Sequence, residues 1–228
     1  MKWDFDHALA IGEIGQEIVC RDVIEDRWSY MPLHDIAPRD GHGPRLTTDG
    51  AGITLPDARI TKHGLSLAAE IKTKTSLTMG ILSGEPEHGI DQDCYDHMRD
   101  YERRQGETVI LIVVELFRID RVPNSDEDVR MVPTTPAARL IDRLLKAENE
   151  ELADHYLGLL REAVHSVNGI LCAPLANLRP RPGRDNTGNA MCYFPRSQLR
   201  SDWLDSLNRR VLYRDRPRAR RAGESEVS

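Results

Sequence analysis

The pattern of hydrophobic and polar positions alternates most clearly in residues 65–75. Leucine, alanine and isoleucine occupy every second position there, and the positions between them include Glu70 and Lys72. Alternation of this kind is typical of a strand with one buried face. Gly64 directly precedes the strand, and glycine readily adopts the positive φ of a tight turn. We therefore predict an antiparallel hairpin in which residues 53–60 run back alongside this strand.

Three further segments have a clear period. Residues 8–26 and 88–104 each carry apolar side chains at three- and four-residue spacing, which predicts two amphipathic helices. Residues 107–117 form a continuous apolar run rich in β-branched side chains, which predicts a strand buried on both faces of a helix-covered sheet. The predicted buried stripes are Ile11, Ile14, Gly15 and Ile18 in the first helix, and Ile90, Cys94, Met98 and Tyr101 in the second.

The second half of the chain has a weaker pattern. It predicts one long helix or two in sequence over residues 134–167, a short strand over residues 191–194, and a helix around residues 201–209. Residues 214–228 are charged and carry almost no large apolar side chains, so we predict a disordered tail there.

The pattern as a whole indicates one domain over residues 1–213. Its core spans about residues 6–117, and a helical C-terminal elaboration follows over about residues 134–213. Residues 31–52 are rich in glycine, proline and aspartate and have no clear period. They form a long connection that either covers the site and contacts substrate or has no function of its own.

Charge is distributed unevenly along the 228 residues, whose net charge is −6. Residues 1–178 carry 19 Lys or Arg and 31 Asp or Glu, whereas residues 179–221 carry 12 Arg and 4 Asp. An acidic body repels a polyanion, so a nucleic-acid substrate requires a bound cation and a local basic surface. The arginine-rich segment is the candidate for that surface, and a flexible solubilising tail is the alternative for residues 214–221.

The four cysteines are widely separated and lack the paired spacing of a zinc site. Neither a signal peptide nor an apolar run long enough to cross a bilayer is evident. We therefore expect a reduced, cytoplasmic protein with no membrane partner, in which Cys20 and Cys94 are small core residues.

The predicted hairpin brings potential metal ligands together. Asp57 lies on its first strand and Glu70 and Lys72 on its second, so two carboxylates and an ammonium are expected at one point. Close carboxylates repel each other, and a hard divalent cation relieves that repulsion by binding their oxygens. Such a cation polarises a phosphate and lowers the pKa of a bound water. The ammonium can hold or deprotonate the attacking water, or it can neutralise charge that builds up on the phosphate. The Ile71 side chain faces the core, but its carbonyl remains available to a metal.

These residues resemble the signature of a known family. Pro56-Asp57, twelve intervening residues and then Glu70-Ile71-Lys72 resemble the motif of the PD-(D/E)XK nuclease superfamily. The resemblance implies a restriction-endonuclease-like α/β (α+β) fold, with a central mixed sheet flanked by helices. It also implies Mg²⁺ or Mn²⁺ held by Asp57, Glu70 and the Ile71 carbonyl, with Lys72 as the catalytic lysine. An ordinary surface hairpin with a Glu/Lys pair is the alternative interpretation.

The first predicted helix is expected to add an acidic residue. Many superfamily members bring a carboxylate from this helix to the metal, and Glu17 best matches that role, with Glu13 as the second choice. A solvated helix face is the alternative for each of these two residues.

The second predicted helix offers a polar face to nucleic acid. Gln92, Tyr95 and Arg99 supply amide, phenol and guanidinium groups, which suit phosphate oxygens and base stacking. Lys74 is expected to join them from the strand. The RecB-like branch of the superfamily carries a Gln-x-x-x-Tyr element in a comparable place, and Gln92-x-x-Tyr95 is one residue shorter. A merely solvated face is the alternative for Arg99.

The leading functional hypothesis is a Mg²⁺-dependent nuclease that hydrolyses DNA phosphodiester bonds by water attack. A second is a module of the same fold that binds nucleic acid or a protein without cutting. A third is an RNA-directed or regulated nuclease in defence. Because superfamily members often dimerise to cut two strands, the resemblance also suggests a homodimer.

Overall fold

The computed structural model describes most of the first half of the chain and parts of the second half. The described residues are 2–33, 45–48, 51–75, 78–80, 84–116, 136–162, 167, 169–185 and 187–202. Within them the chain forms a five-stranded sheet, a four-stranded sheet, a two-stranded hairpin and four α-helices.

Helices and strands are numbered in chain order. The strands are β1 (Ser29–Pro32), β2 (Arg45–Thr48), β3 (Ala51–Thr54), β4 (Ala58–Lys62), β5 (Leu65–Lys74), β6 (Thr78–Met79), β7 (Pro86–Asp91), β8 (Val109–Glu115), β9 (Gly169–Pro174), β10 (Arg181–Arg184) and β11 (Ala190–Pro195). The helices are α1 (Lys2–Glu25), α2 (Gln92–Gln105), α3 (Pro136–Leu145) and α4 (Glu150–Glu162). Single 3-10 turns follow β9 at Leu175–Asn177 and β11 at Arg196–Gln198.

The larger sheet has the strand order β1-β4-β5-β8-β9. β5 and β8 run parallel, and the other neighbouring pairs run antiparallel. β8 lies between β5 and β9, and all of its residues are buried. The predicted buried strand is therefore confirmed, and so is the predicted fold class, a central mixed sheet flanked by helices.

The two faces of β8 belong to different hydrophobic clusters. Its residues 110, 112 and 114 pack with α1, α3 and α4 on one face of the sheet. Its residues 109, 111 and 113 pack with α2 and the four-stranded sheet on the other face. A strand covered on both faces must be apolar throughout, which is why β8 shows no alternation.

The alternation predicted for β5 is confirmed. Leu67, Ala69 and Ile71 join the cluster on the α1 side of the sheet, whereas Ala68 joins the cluster on the α2 side. Glu70, an even-numbered residue like Ala68, therefore faces the α2 side. The predicted apolar stripe of α1 is also buried against this strand: Ile11, Ile14, Gly15 and Ile18.

The smaller sheet was not predicted. It is antiparallel, with the strand order β10-β11-β7-β6, and its strands come from segments far apart in sequence. Cys192 and Phe194 of β11 pack into the cluster that α2 shares with β8. β7 ends at Asp91 and α2 begins at Gln92, so this sheet leads directly into the helix.

Two helix boundaries differ from the prediction. α1 begins at Lys2 rather than at residue 8, and α2 begins at Gln92 rather than at residue 88. His88 and Ile90 belong to β7 and are buried beside β11. The prediction for residues 88–91 was wrong because Ile90 matches the helical spacing of the apolar positions after it. Pairing with a strand about a hundred residues away decides the structure instead.

The second half agrees in part with the prediction. The segment predicted as one helix or two forms two, α3 and α4, and the predicted strand over residues 191–194 lies within β11. β9 and β10 were not predicted. Residues 203–209 of the last predicted helix, the predicted tail over residues 214–228 and residues 34–44 of the long connection lie outside the described residues.

All four cysteines are free thiols. Cys172 and Cys192 are buried, whereas Cys20 and Cys94, which were expected in the core, are only partly buried. None of the helices in the described part of the chain is long and apolar enough to cross a membrane.

Candidate active site

A tight turn sets the register of the hairpin. His63 and Gly64 connect β4 to β5 with positive φ angles of 48° and 76°, which is the backbone of a two-residue hairpin turn. Lys62 pairs with Leu65, and the register continues to Ala58 opposite Ala69. One residue further on, Asp57 comes opposite Glu70. The predicted hairpin is confirmed from residue 58 onward. Residues 53–57 were wrongly assigned to its first strand, because residues 53 and 54 belong to β3, which pairs with β2, and Asp57 lies just before β4. The hairpin still brings the two carboxylates to one end of the β4–β5 pair.

Short contacts connect the three residues of the motif. Asp57 Oδ2 accepts a hydrogen bond from the Ile71 backbone N–H at 2.7 Å. Lys72 Nζ lies 2.8 Å from Glu70 Oε1. Cys94 Sγ of α2 donates to the same Glu70 oxygen at 3.2 Å. Asp57, Glu70 and Lys72 are therefore brought together, as expected from the sequence.

The electrostatics of Glu70 are unbalanced. Only 5% of this residue is exposed, and burial raises the pKa of its carboxyl. The negative charge of Asp57 raises that pKa further, and the Lys72 ammonium opposes both effects without cancelling them. The Glu70 charge in turn raises the pKa of Lys72, which favours its ammonium form. One partly buried cation is thus shared between two carboxylates.

The Ile71 carbonyl points to the side of the strand on which Asp57 lies. In an extended strand the N–H and C=O of one residue project to the same side, and the Ile71 N–H reaches Asp57. β4 begins at Ala58, which pairs with Ala69, so β4 does not extend opposite Ile71. The carbonyl is therefore in the position that the sequence predicted for a metal ligand.

These donors fit a hard divalent cation. Two carboxylates and a backbone carbonyl are the oxygen ligands that Mg²⁺ prefers, and the raised pKa of Glu70 indicates a need for positive charge. Both hydrogen bonds that described residues make to Glu70 fall on Oε1, so Oε2 is the oxygen available to a metal. Among the described residues no group of three or more His, Cys, Asp or Glu side chains is arranged to hold a metal ion.

A cavity of about 260 Å³ adjoins the motif. Asp57, Ile71 and Lys72 form one wall, and the N-terminal half of α1 forms the other. The α1 residues that line the cavity are Leu9, Ile11, Gly12, Glu13 and Gln16. Two polar side chains of α1 thus face the same space as Asp57 and Lys72.

The structure separates the two acidic candidates of α1. Glu13, the second choice of the sequence analysis, lines the cavity. Glu17, the first choice, does not line it, although both side chains are exposed. The metal role of Glu17 stays a prediction, and the geometry favours Glu13.

The residues predicted to contact nucleic acid lie in different surroundings. Gln92 Nε2 donates to Asp96, and Gln92 Oε1 accepts from Cys192 Sγ at 3.0 Å. Tyr95 packs on Phe194, with ring centroids 5.9 Å apart, so the smaller sheet partly covers it. These contacts join α2 to the smaller sheet, and the predicted nucleic-acid role of both residues stays a prediction.

Arg99 and Lys74 complete that set. Arg99 is exposed and pairs with Glu102 on the same helix, which is the solvated arrangement named above as its alternative. Lys74 shares a face of β5 with Glu70 and Lys72. Burial and the charge of Lys72 lower the pKa of Lys74 to about 8. A second cationic side chain therefore follows Lys72 on this face.

Two features of the site region were missed from sequence. Cys94 was assigned to the apolar stripe, but its thiol contacts Glu70. The second is a buried cluster of His88, Glu115 and Arg196, in which Arg196 donates to both carboxylate oxygens at 2.7 and 2.9 Å. A glutamate at the end of an otherwise apolar run was the available signal, but its partner lies 81 residues further along the chain.

Comparisons with known proteins give only a loose likeness, to solved structures. No protein-family model matches the sequence, and no curated protein matches it. Among solved structures the chain is similar to Hjc, a Holliday junction resolvase from the archaeal hyperthermophile Archaeoglobus fulgidus. The two chains share 9% identity, with a TM-score of 0.41 over 83% of this chain and 95% of that one. This likeness is too loose to place the chain in a family.

Proposed function

We propose that this protein is a Mg²⁺-dependent nuclease of the PD-(D/E)XK type that hydrolyses phosphodiester bonds of DNA. The observation that carries the proposal is the hairpin, which gathers Asp57, Glu70 and Lys72; Asp57 and Lys72 are among the residues that line a cavity. A mixed sheet with the motif on its β4–β5 hairpin supports the same assignment. The predicted homodimer and the cytoplasmic location stay predictions.

Asp57, Glu70 and the Ile71 carbonyl would hold the metal. A bound Mg²⁺ or Mn²⁺ supplies Lewis-acid polarisation of the phosphate and lowers the pKa of water. Glu13 and Gln16 lie across the cavity, where they can orient a water molecule by hydrogen bonds. In the overall reaction a water oxygen forms a bond to phosphorus, one P–O ester bond breaks, and the leaving oxygen gains a proton.

Lys72 acts in this proposal as a fixed positive charge. Because the Glu70 carboxylate raises the pKa of Lys72, the ammonium form is favoured over the free amine. An ammonium stabilises negative charge that develops on phosphate oxygens, whereas only a free amine could accept a proton from water. Lys72 is also one of the residues that line the cavity beside Asp57.

A cleavage panel tests the proposal. Purified protein is incubated with single- and double-stranded DNA and RNA in Mg²⁺, in Mn²⁺ and in EDTA. We expect DNA products with either metal and none in EDTA, and loss of products in the variants Asp57→Asn and Lys72→Met. Glu13→Gln tests the acidic residue of α1 that lines the cavity, and Glu17→Gln, which does not line it, is its matched control. Persistent cleavage by an Asp57→Asn, Lys72→Met double variant would overturn the assignment.

Metal binding provides a measurement that is independent of activity. A ligand that binds only the folded state at 100 times its Kd stabilises that state by about 2.7 kcal/mol. We expect Mg²⁺ to raise the unfolding temperature of the wild-type protein but not that of Asp57→Asn. An equal rise in both proteins would place the ion elsewhere.

A non-cleaving module of the same fold is the second candidate. One observation favours it: Glu70 is already bound by Lys72 and Cys94. Within the described part of the site, Asp57 and Glu70 are the two carboxylates that face each other, which is fewer than a group of three acidic ligands. This candidate predicts DNA binding that survives Glu70→Gln, with no products under any metal condition. The cleavage panel separates the two candidates directly.

A further inference from the structure

The buried face of α2 holds a side chain that donates a hydrogen bond to the motif. Cys94, Met98 and Tyr101 follow one another at helical spacing, and Met98 and Tyr101 are buried in the cluster that α2 shares with β8. Cys94 is in the first turn of the helix, and its Sγ donates to Glu70 Oε1 at 3.2 Å. The packing of Met98 and Tyr101 therefore fixes the helix whose thiol reaches Glu70.

Two donors from different elements meet at the same oxygen of Glu70. Lys72 reaches Oε1 from β5 at 2.8 Å, and Cys94 reaches it from α2. The lysine has a long flexible side chain, of which 29% is exposed. A contact from Lys72 alone would leave the carboxylate free to turn, whereas a second donor on a packed helix fixes its orientation. The thiol thus helps to keep Oε2 as the oxygen that is available to a metal.

The donor from α2 carries no charge. A thiol is a weak donor, and an ordinary thiol keeps its proton at neutral pH. It therefore orients the carboxylate without neutralising the negative charge that attracts a cation. Glu115 on the neighbouring strand shows the other arrangement, because the Arg196 guanidinium donates to both of its oxygens. A guanidinium in place of the thiol would compete with a metal for Glu70, and the neutral thiol does not.

We propose that Cys94 is a positioning residue of the candidate active site, which holds Glu70 in the orientation that binds Mg²⁺ or Mn²⁺. The proposal rests on the proposed function in taking Glu70 as a metal ligand. Cys94 itself touches neither the metal nor the substrate. Removing a residue that contacts a ligand rather than the metal typically weakens metal binding or activity by about 10- to 100-fold.

The experiment measures the affinity of the purified protein for Mg²⁺ and for Mn²⁺ by calorimetry, in the absence of nucleic acid. We expect Cys94→Ala to bind Mg²⁺ about tenfold more weakly than the wild-type protein. Cys94→Ser keeps a donor at this place and should bind Mg²⁺ within a few-fold of the wild-type affinity. In cleavage assays Cys94→Ala should need a higher Mg²⁺ concentration for half of the maximal rate, and saturating Mg²⁺ should restore most of that rate.

A second thiol on the same turn provides a matched control. Cys192 Sγ donates to Gln92 Oε1 at 3.0 Å, so it contacts the first turn of α2 at a different residue. Cys192→Ala should therefore leave the Mg²⁺ affinity unchanged. A double variant tests the route of the effect. Added to Glu70→Gln, Cys94→Ala should cause no further loss of Mg²⁺ affinity, because the thiol acts through that carboxylate.

A folding measurement and a spectroscopic one keep the test decisive. Thermal unfolding shows whether each variant is folded. If Cys94→Ala does not fold, the infrared S–H stretch of the wild-type protein, assigned with Cys94→Ser, decides the question. A hydrogen bond to a carboxylate lowers the frequency of this band, and Mg²⁺ bound to Glu70 should raise it by weakening that bond. A Cys94 band that does not move with Mg²⁺ would overturn the proposal.

The remaining outcomes separate the positioning role from the nuclease. If Cys94→Ala binds Mg²⁺ as tightly as the wild-type protein, the positioning role is wrong even when metal-dependent cleavage is found. It is also wrong if either Cys94→Ser or Cys192→Ala loses as much affinity as Cys94→Ala. If the affinity depends on Cys94 but no nucleic acid is cut, the positioning role stands and the nuclease proposal fails. If the wild-type protein binds neither metal, Glu70 is not a metal ligand and both proposals fail.

Discussion

Glu70 and Glu115 are buried carboxylates on neighbouring strands of one sheet, yet their surroundings differ. Glu115 is fully buried, and its partners include His88 and Arg196: His88 Nε2 lies 2.8 Å away, and Arg196 contacts both of its oxygens. Glu70 is bound through one oxygen by Lys72 and Cys94, and it faces a second carboxylate, that of Asp57. Buried charge is therefore well compensated in one place and poorly compensated in the other.

The pKa directions express this difference. Burial alone would raise the pKa of Glu115, but hydrogen bonds from His88 and Arg196 outweigh burial and lower it. For Glu70, burial and the Asp57 charge outweigh Lys72, and the pKa is raised. A compensated buried cluster holds elements together, whereas an uncompensated one beside a cavity is typical of a functional site. The comparison suggests that Glu115 serves the fold and Glu70 serves the chemistry.

The largest expected effect follows from Glu70→Gln. A bound metal lowers the activation barrier of cleavage by several kcal/mol, and this variant removes one ligand of that metal. The cleavage rate should therefore fall by about 10²-fold or more. The free energy of unfolding should fall by no more than about 1 kcal/mol, because the Lys72 side chain is 29% exposed and stays solvated. Cleavage assays and urea unfolding measure the two quantities. A large loss of stability with unchanged cleavage would show that Glu70 serves the fold and not the chemistry.

Glu115→Gln should show the opposite behaviour. Glu115→Gln weakens the contacts of a fully buried carboxylate with His88 and Arg196. Because the Arg196 side chain is 34% exposed and keeps part of its hydration, the free energy of unfolding should fall by about 1–3 kcal/mol. The cleavage rate per folded molecule should stay within a few-fold of the wild-type rate. Glu150→Gln, at an exposed position of α4, is the matched control and should change stability by less than about 0.5 kcal/mol. Equal stability of both variants would show that the cluster does not hold the sheets together.

A smaller effect is expected where α1 meets β5. A Cβ at Gly15 would collide with the Thr73 hydroxyl, so Gly15→Ala should destabilise the protein by about 1–3 kcal/mol and shift the α1 wall of the cavity. Gly158 in α4 has nothing within 4 Å of an added Cβ, and Gly158→Ala should stabilise by about 0.5–1 kcal/mol. Denaturant unfolding measures both changes. Adding Thr73→Ala to Gly15→Ala should recover part of the loss, and no recovery would rule out this contact as its cause.

The smallest expected effect is the pH dependence that the Glu115 cluster contributes near neutrality. Burial lowers the pKa of His88 below its ordinary 6.5, and the pKa of Glu115 lies below its ordinary 4.5. Both groups bind protons more readily in the unfolded chain, so stability is fully present above about pH 6.5 and is lost as pH falls. Unfolding measured from pH 8 to pH 4 should show this slope. In Glu115→Gln the slope at about pH 6 should persist, because Glu115 raises the pKa of His88 and its removal lowers that pKa further. Only the slope below about pH 4.5 should become shallower. An unchanged slope below about pH 4.5 would assign that part to other groups.

The sequence predicted local structure better than distant pairing. The alternation in β5, the uniformly apolar β8 and the turn glycine at position 64 are local signals, and all three led to the correct element. The start of α2 was misplaced because Ile90 satisfies a helical period while belonging to a strand. What makes β7 a strand is its pairing with β11, which no local pattern contains.

The same limit applies to the candidate site. Asp57, Glu70 and Lys72 lie within one hairpin, so a short turn was enough to predict their meeting. Their contacts from other elements were not predictable in the same way. Glu13 and Glu17 differ by about one helical turn, and only the packing of α1 decides which of them faces the cavity. The Arg196 partner of Glu115 depends on the smaller sheet, whose strands are scattered along the sequence.

The direct passage from β7 into α2 has a geometric consequence. No residue separates the strand from the helix, and Cys94 in the first turn of that helix contacts Glu70. A displacement of the smaller sheet would therefore be passed through β7 to α2 and to the thiol that holds Glu70.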